Sequence, residues 1–207
     1  MQRPSLLIVL PILGYIWLAA GVTIAAAYYP GYSHTVQFMS ELGARGTGNG
    51  FLVNLLVFAA AEIWIFLFLL VAIRLVPLDH GLGLGLALIG VYAALLVIAA
   101  VSPCDFECRP SGPPSNTHLV HVGAGLAAYV AGLAGLWFLC SGLRKRAVWP
   151  LPDVAIVLFL STGIILLCGV VSSETHAGLF QRALETLLFG WMAVAGYGLS
   201  RVAKLRP

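Results

Sequence analysis

The chain has 207 residues, of which 60% are hydrophobic and 9% charged, with a net charge of +3. Its mean hydropathy of +0.98 excludes an ordinary soluble domain and points to a protein whose solvent is the bilayer. So small a positive excess gives no support to nucleic-acid binding.

A bilayer core takes about 20 apolar residues per helix. Segments 5–27, 51–76, 81–101, 118–140, 152–171 and 180–200 meet that length. They are apolar all round instead of alternating, which predicts an all-α polytopic bundle of six transmembrane helices in a single domain over 1–207, not a β-barrel. Arg3 ahead of the first segment and the small Ala25 and Ala27 give it a signal-peptide flavour. Its apolar run of about 23 residues exceeds a signal-peptide core, so it is read as a retained span.

The first long connection opens with "YYPGY", whose Tyr28, Tyr29 and Tyr32 suit a membrane interface and whose Pro30-Gly31 suits a turn. Ser33 then predicts the cap of a short amphipathic helix ending at Leu42-Gly43. On it His34, Gln37 and Glu41 share a face at spacings of three and four. In the second span Glu62 falls near the bilayer centre, where it is read as a proton or cation site or as a neutral acid bonded to a neighbouring helix. "GLGLG" at 81–85 lacks the spacing of a nucleotide loop.

The second long connection, "SPCDFECRPSGPPSNTHLVH", places Asp105 between Cys104 and Cys108, a candidate disulfide pair. Asn116 or Thr117 is the expected cap of the fourth span, and His118 and His121 share a face of its first turn. Ala124, Ala128 and Gly132, with Ala127, Ala131 and Gly135 one step round, predict a tightly packed fourth helix. The third long connection carries Glu174 and His176. Gln181, Arg182 and Glu185 open the last span, where such groups should face the interior and pair with each other or with Asp105 or Glu41.

Orientation follows from Lys and Arg. With the N-terminus inside, Arg3, Arg74, Arg144, Lys145, Arg146, Arg201, Lys204 and Arg206 are inner, and only Arg45, Arg109 and Arg182 are outer. Both termini are therefore expected in the cytoplasm. His34, His118, His121 and His176 then cluster at the outer end, away from His80. Three or four His, Asp or Glu ligands suffice for zinc or another transition metal, although no H-E-x-x-H or C-x-x-C is present. Ser40, Gln37, Gln181 and Glu185 complete a polar pocket there.

"YPGY" followed by "SELGARGT", "PCD" after the third span, a helix starting at His118, and "QR" at 181–182 resemble the domain of unknown function 998 family, small bacterial and archaeal six-span membrane proteins. The resemblance implies that Ser40, Glu41, Asp105, His118, Gln181 and Arg182 are the family's polar positions and that the membrane is a prokaryotic cytoplasmic one. The Cys pair and His121 look like departures from that pattern. A more distant likeness is to alkaline-ceramidase-type membrane hydrolases, which set Ser, Asp and three His around zinc; this chain has the residue types but not their order.

The leading expectation is a metal-assisted hydrolase acting on a lipid or headgroup. Its metal would be held by His34, His118, His121 and His176, with Glu41 or Asp105 as ligand or base and Arg182 on an anionic group. The alternatives are a small proton-coupled transporter using Glu62, a haem protein using His118 or His121 with a loop histidine, and an accessory membrane subunit. Membrane lipids are the expected partners, with a small-molecule or lipid ligand at the outer face.

Overall fold

The structure is a computed structural model that describes residues 4–205. Arg3 and Arg206, which entered the orientation argument, lie outside the described residues. The helices are α1 (Leu6–Ala27), α2 (Gly50–Leu75), α3 (His80–Val101), α4 (Asn116–Lys145), α5 (Asp153–Ser172) and α6 (Ala177–Lys204). Among the described residues there is no strand. The all-helical architecture expected from the hydropathy pattern is therefore observed. The bounds of α1, α2, α3 and α5 agree with the predicted segments to within one residue, and α4 and α6 run a few residues further at both ends.

Five of the helices, α1 to α5, are long and apolar enough to cross a membrane, which makes this an integral membrane protein. The sixth is long enough but not apolar enough, because Gln181, Arg182, Glu185 and Thr186 interrupt it. Its apolar residues Leu184, Leu188, Phe189, Met192, Ala195 and Leu199 are buried, so tertiary packing compensates for what its composition lacks.

The helices form a closed ring in which each packs on the next and α6 returns to α1, with α4 also touching α6. The tightest seam is α3 on α4, as the small residues of the fourth span predict. A Cβ at Gly135 would lie 3.0 Å from the Gly85 carbonyl, and one at Gly85 would lie 2.9 Å from that of Gly135. Two backbones meet there with no room for a side chain.

The caps differ in one respect from expectation. Ser115, not Asn116 or Thr117, caps α4, its extended backbone letting Oγ accept from the His118 N–H at 3.2 Å. Asp79 caps α3 by accepting from the Leu82 N–H at 2.9 Å. The same carboxylate takes the Arg146 guanidinium at 2.9 Å, tying the two short connections together.

The first long connection is not the continuous helix expected from Ser33 to Leu42. It contains a turn and then a 3-10 helix, Met39–Gly43. The physical reason is competition for backbone groups. Gln37 Oε1 accepts from the Ser33 N–H at 2.8 Å, Phe38 is extended, and Glu41 Oε1 reaches back to the Phe38 N–H at 2.9 Å. A second departure lies in α2, where Asn54–Ala59 forms a π-helical turn between the α-helical stretches Gly50–Val53 and Ala60–Leu75. Asn54 Nδ2 donates to the Gly43 carbonyl at 2.8 Å, and the Leu56 carbonyl accepts from the Trp17 indole at 2.8 Å. Side chains inserted into a helix ladder are a recognised cause of such bulges.

The α3–α4 contact gives a direct test. Gly135→Val forces the seam apart and is expected to destabilise the protein by about 1–3 kcal/mol or more. Gly123→Ala, where an added Cβ meets nothing within 4 Å, leaves stability unchanged. Thermal unfolding of both variants in detergent checks this.

Candidate functional site

The three long connections meet at one end of the ring. The Arg45 N–H donates to the Cys104 carbonyl at 2.9 Å, the Leu179 N–H to that of Thr35 at 2.9 Å, and Arg109 to that of Glu174 at 3.1 Å. Gly178 makes the second junction tight: a side chain there would strike the Gln37 carbonyl. The first connection is thereby held as a plug over the helices.

Most of its polar residues serve that plug. Glu41 is 2% exposed, and its carboxylate accepts from the Gln37 amide and the Phe38 N–H, both at 2.9 Å. Burial pushes the Glu41 carboxyl above its ordinary range, with both hydrogen bonds opposing the shift. Arg182 donates to the carbonyls of Gln37 (3.1 Å) and Gly178 (2.9 Å) and to the Tyr32 hydroxyl, which in turn donates to the Phe38 carbonyl at 2.8 Å. The expected pairing of Arg182 with Glu41, Asp105 or Glu185 is not what the structure has, because carbonyls of the plug and of its own helix occupy it first. Asp105 instead lies 3.9 Å from Arg45 and accepts from the Ser115 N–H at 2.8 Å. Hydrogen bonding from Ser115 holds the Asp105 carboxyl below its ordinary range.

The four histidines expected to cluster, His34, His118, His121 and His176, do not gather into one ligand set. His118 Nδ1 accepts from the Asp105 N–H at 3.2 Å, and His121 Nδ1 lies 2.8 Å from the Ala99 carbonyl. His176 is exposed and 2.8 Å from Thr175, and His34 lies edge-on to Tyr32 with ring centroids 5.2 Å apart. Burial and then the Arg182 charge push the His34 imidazole below its ordinary range. Among the described residues the one metal-capable group is Cys104, Cys108 and His121, whose ligating atoms lie within 4.8 Å of one another. The two cysteines form the disulfide expected from their placement, with Cα atoms 5.0 Å apart. Their thiolates are therefore spent, and the remaining donors do not fit a resident zinc ion. Ser40 sits against this bridge, its Oγ 3.5 Å from Cys108 Sγ.

Beneath the plug lies a cavity of about 80 Å³, room for more than one water. Met39, Ser40, Glu62, His121, Tyr129, Gln181 and Glu185 are in its lining. Glu185, 4% exposed, accepts from Tyr92 at 2.8 Å on one oxygen and from Tyr129 at 2.9 Å on the other. Gln181 joins this centre to the plug, donating to the Tyr129 hydroxyl at 3.3 Å and accepting from the Met39 N–H at 2.7 Å. Glu62 is 3% exposed, and its Oε2 has no hydrogen-bond partner among the described residues. Glu62, Gln181 and Glu185 stand out in the apolar runs of the sequence, whereas Tyr92 and Tyr129 blend into theirs. Their signal is position: tyrosines in the middle of a span, away from the interface, need a buried acceptor.

The chain belongs to the family described as Protein of unknown function (DUF998), whose pattern matches residues 12–198. No curated protein and no solved structure matches it.

Two outcomes follow. Without reductant, alkylation of the denatured chain marks only Cys140 and Cys168; after reduction it marks all four cysteines, read by intact mass. A lowered Asp105 pKa stabilises the fold above the unfolded value of 3.8, and that contribution is lost as pH falls through the native value. Acid melting curves should therefore show a loss of stability in the parent protein that is smaller in Asp105→Asn.

Proposed function

We propose that the protein is a small proton-coupled membrane carrier, with Glu62 and Glu185 as the groups that hold the coupling proton. The observation that carries this reading is the pair of glutamates on one interior cavity, one of them with a carboxylate oxygen that finds no partner among the described residues. Intramembrane carboxylates are expensive to keep and mark proton or ion paths. Two negative charges beside one low-dielectric cavity repel strongly, so a proton or a cation has reason to reside there.

The surroundings suit proton exchange. Tyr92 and Tyr129 hold the Glu185 carboxylate in a fixed orientation, and the cavity between Glu62 and Ser40 has room for water, which carries protons through hydrogen-bonded chains. The π-helical turn Asn54–Ala59 sits immediately before Glu62, and such bulges are frequent at functional sites. The metal-assisted hydrolase reading has less behind it. His34, His118, His121 and His176 have separate partners, and Glu41 and Asp105 are engaged in holding the connections. The haem reading likewise finds both helical histidines engaged with backbone groups.

The test is infrared spectroscopy of the purified protein at acid and at alkaline pH. The difference spectrum should contain a carboxyl carbonyl signal that shrinks in Glu62→Gln and again in Glu185→Gln, while His176→Ala, at an exposed position, leaves it intact. Unchanged signals in both glutamine variants would show that the pair exchanges no protons and would remove the basis for coupling.

A further inference from the structure

The interior cavity does not end at Glu185. The same carboxylate, with Leu18 and Met39, also lines a second cavity of about 340 Å³ between α1 and α6, whose other walls include His34, Thr23 and Arg182. This second cavity shares Tyr15, Ala19 and Thr23 with an open groove of about 470 Å³ along α1, continued by Ile16, Ala20 and Ile24. The groove spans ten residues of helix, roughly 14 Å at the rise of an α-helix. Its walls are apolar apart from the Tyr15 and Thr23 hydroxyls. Thr23 bonds its own helix at the Ala19 carbonyl, and Tyr15 meets Thr186 across the seam at 2.8 Å.

The polar end of this path has an uncompensated charge. Arg182 makes no ion pair among the described residues; its guanidinium donates to two carbonyls and the Tyr32 hydroxyl and lies 5.6 Å from the centre of the Tyr32 ring. His34 lines the same cavity as Arg182 and carries a ring N–H that can donate a hydrogen bond. A guanidinium in a cavity that continues into an apolar groove calls for an anionic head with a hydrocarbon tail.

We propose that the seam between α1 and α6 is a lateral binding site for an anionic membrane lipid. The phosphate-bearing head sits at Arg182 and His34, and an acyl chain lies along Ala19, Ala20 and Thr23. The occupant arrives sideways from the bilayer, because the groove opens on the helix faces that carry exposed Ile16 and Ile24. This inference rests on the carrier reading for its role, since it makes the lipid the cargo whose head lies beside Glu185. Binding itself does not depend on that reading. The small residues on α1 acquire a reason here: larger side chains at these positions would fill the space a chain occupies.

The experiment is native mass spectrometry of the protein released from nanodiscs containing equal amounts of phosphatidylglycerol and phosphatidylcholine. The expected result is about one retained phosphatidylglycerol per protein, favoured at least tenfold over phosphatidylcholine. Arg182→Gln removes the preference and Arg182→Lys keeps most of it. Thr23→Phe, at an exposed position on α1, abolishes retention of both lipids while the unfolding temperature stays unchanged. Equal retention of the two lipids by the parent protein, or full retention in Thr23→Phe, overturns the proposal. The infrared test of Glu62 and Glu185 reads proton exchange and the lipid measurement reads occupancy. Failure of one is therefore distinguishable from failure of the other.

Discussion

A helix too polar to cross a membrane alone must have its polar groups satisfied by its neighbours, and α6 imposes that constraint on everything around it. Gln181, Arg182 and Glu185 lie within its first three turns. Each is answered by a different part of the chain: Gln181 by the Met39 backbone and Tyr129, Arg182 by Gln37 and Tyr32, and Glu185 by Tyr92 and Tyr129. The plug over the ring, the tyrosines of α3 and α4 and the return of α6 onto α1 can be understood as one solution to that requirement. An unsatisfied polar group in hydrocarbon costs several kcal/mol, which is ample to fix their positions.

The same requirement separates two kinds of acidic residue. Glu41 and Asp105 lie in the connections, where backbone N–H groups complete their hydrogen bonding and their work is to hold the chain in place. Glu185 and Glu62 lie inside the ring, and one Glu62 oxygen has nothing to accept from among the described residues. Glu41 and Glu185 each accept one hydrogen bond on either oxygen, and Glu62 is the buried acid with capacity left free among the described residues. This contrast, more than any motif, sets Glu62 and the cavity it shares with Glu185 apart from the histidines.

The sequence patterns were most informative where the physics is local. Hydropathy over twenty residues located all six helices. The four-residue repeat of small residues in the fourth span anticipated that this helix packs tightly, and the placement of Cys104 and Cys108 on one connection made them a candidate pair, which the structure bridges. Glu62, Gln181, Arg182 and Glu185 stood out because ionisable and amide groups are rare in apolar runs. The histidine cluster was misleading in a specific way. Sharing one end of a bundle does not bring imidazoles together, and each of these found a nearer carbonyl, hydroxyl, N–H or ring.

What the sequence by itself determined, then, is the set of helices, the membrane as their solvent and the few polar residues that interrupt them, because each depends on neighbours within a turn or a span. Tertiary structure decided which of those residues meet. Met39 and Gln181 are 142 positions apart, and Tyr92 and Glu185 are 93 apart. The π-helical turn ahead of Glu62 likewise follows a Trp17 side chain and an Asn54 contact to the plug, not a local preference. Long-range pairing of this kind leaves no periodicity in the chain; it arises only when the ring closes and every buried donor and acceptor must find a partner.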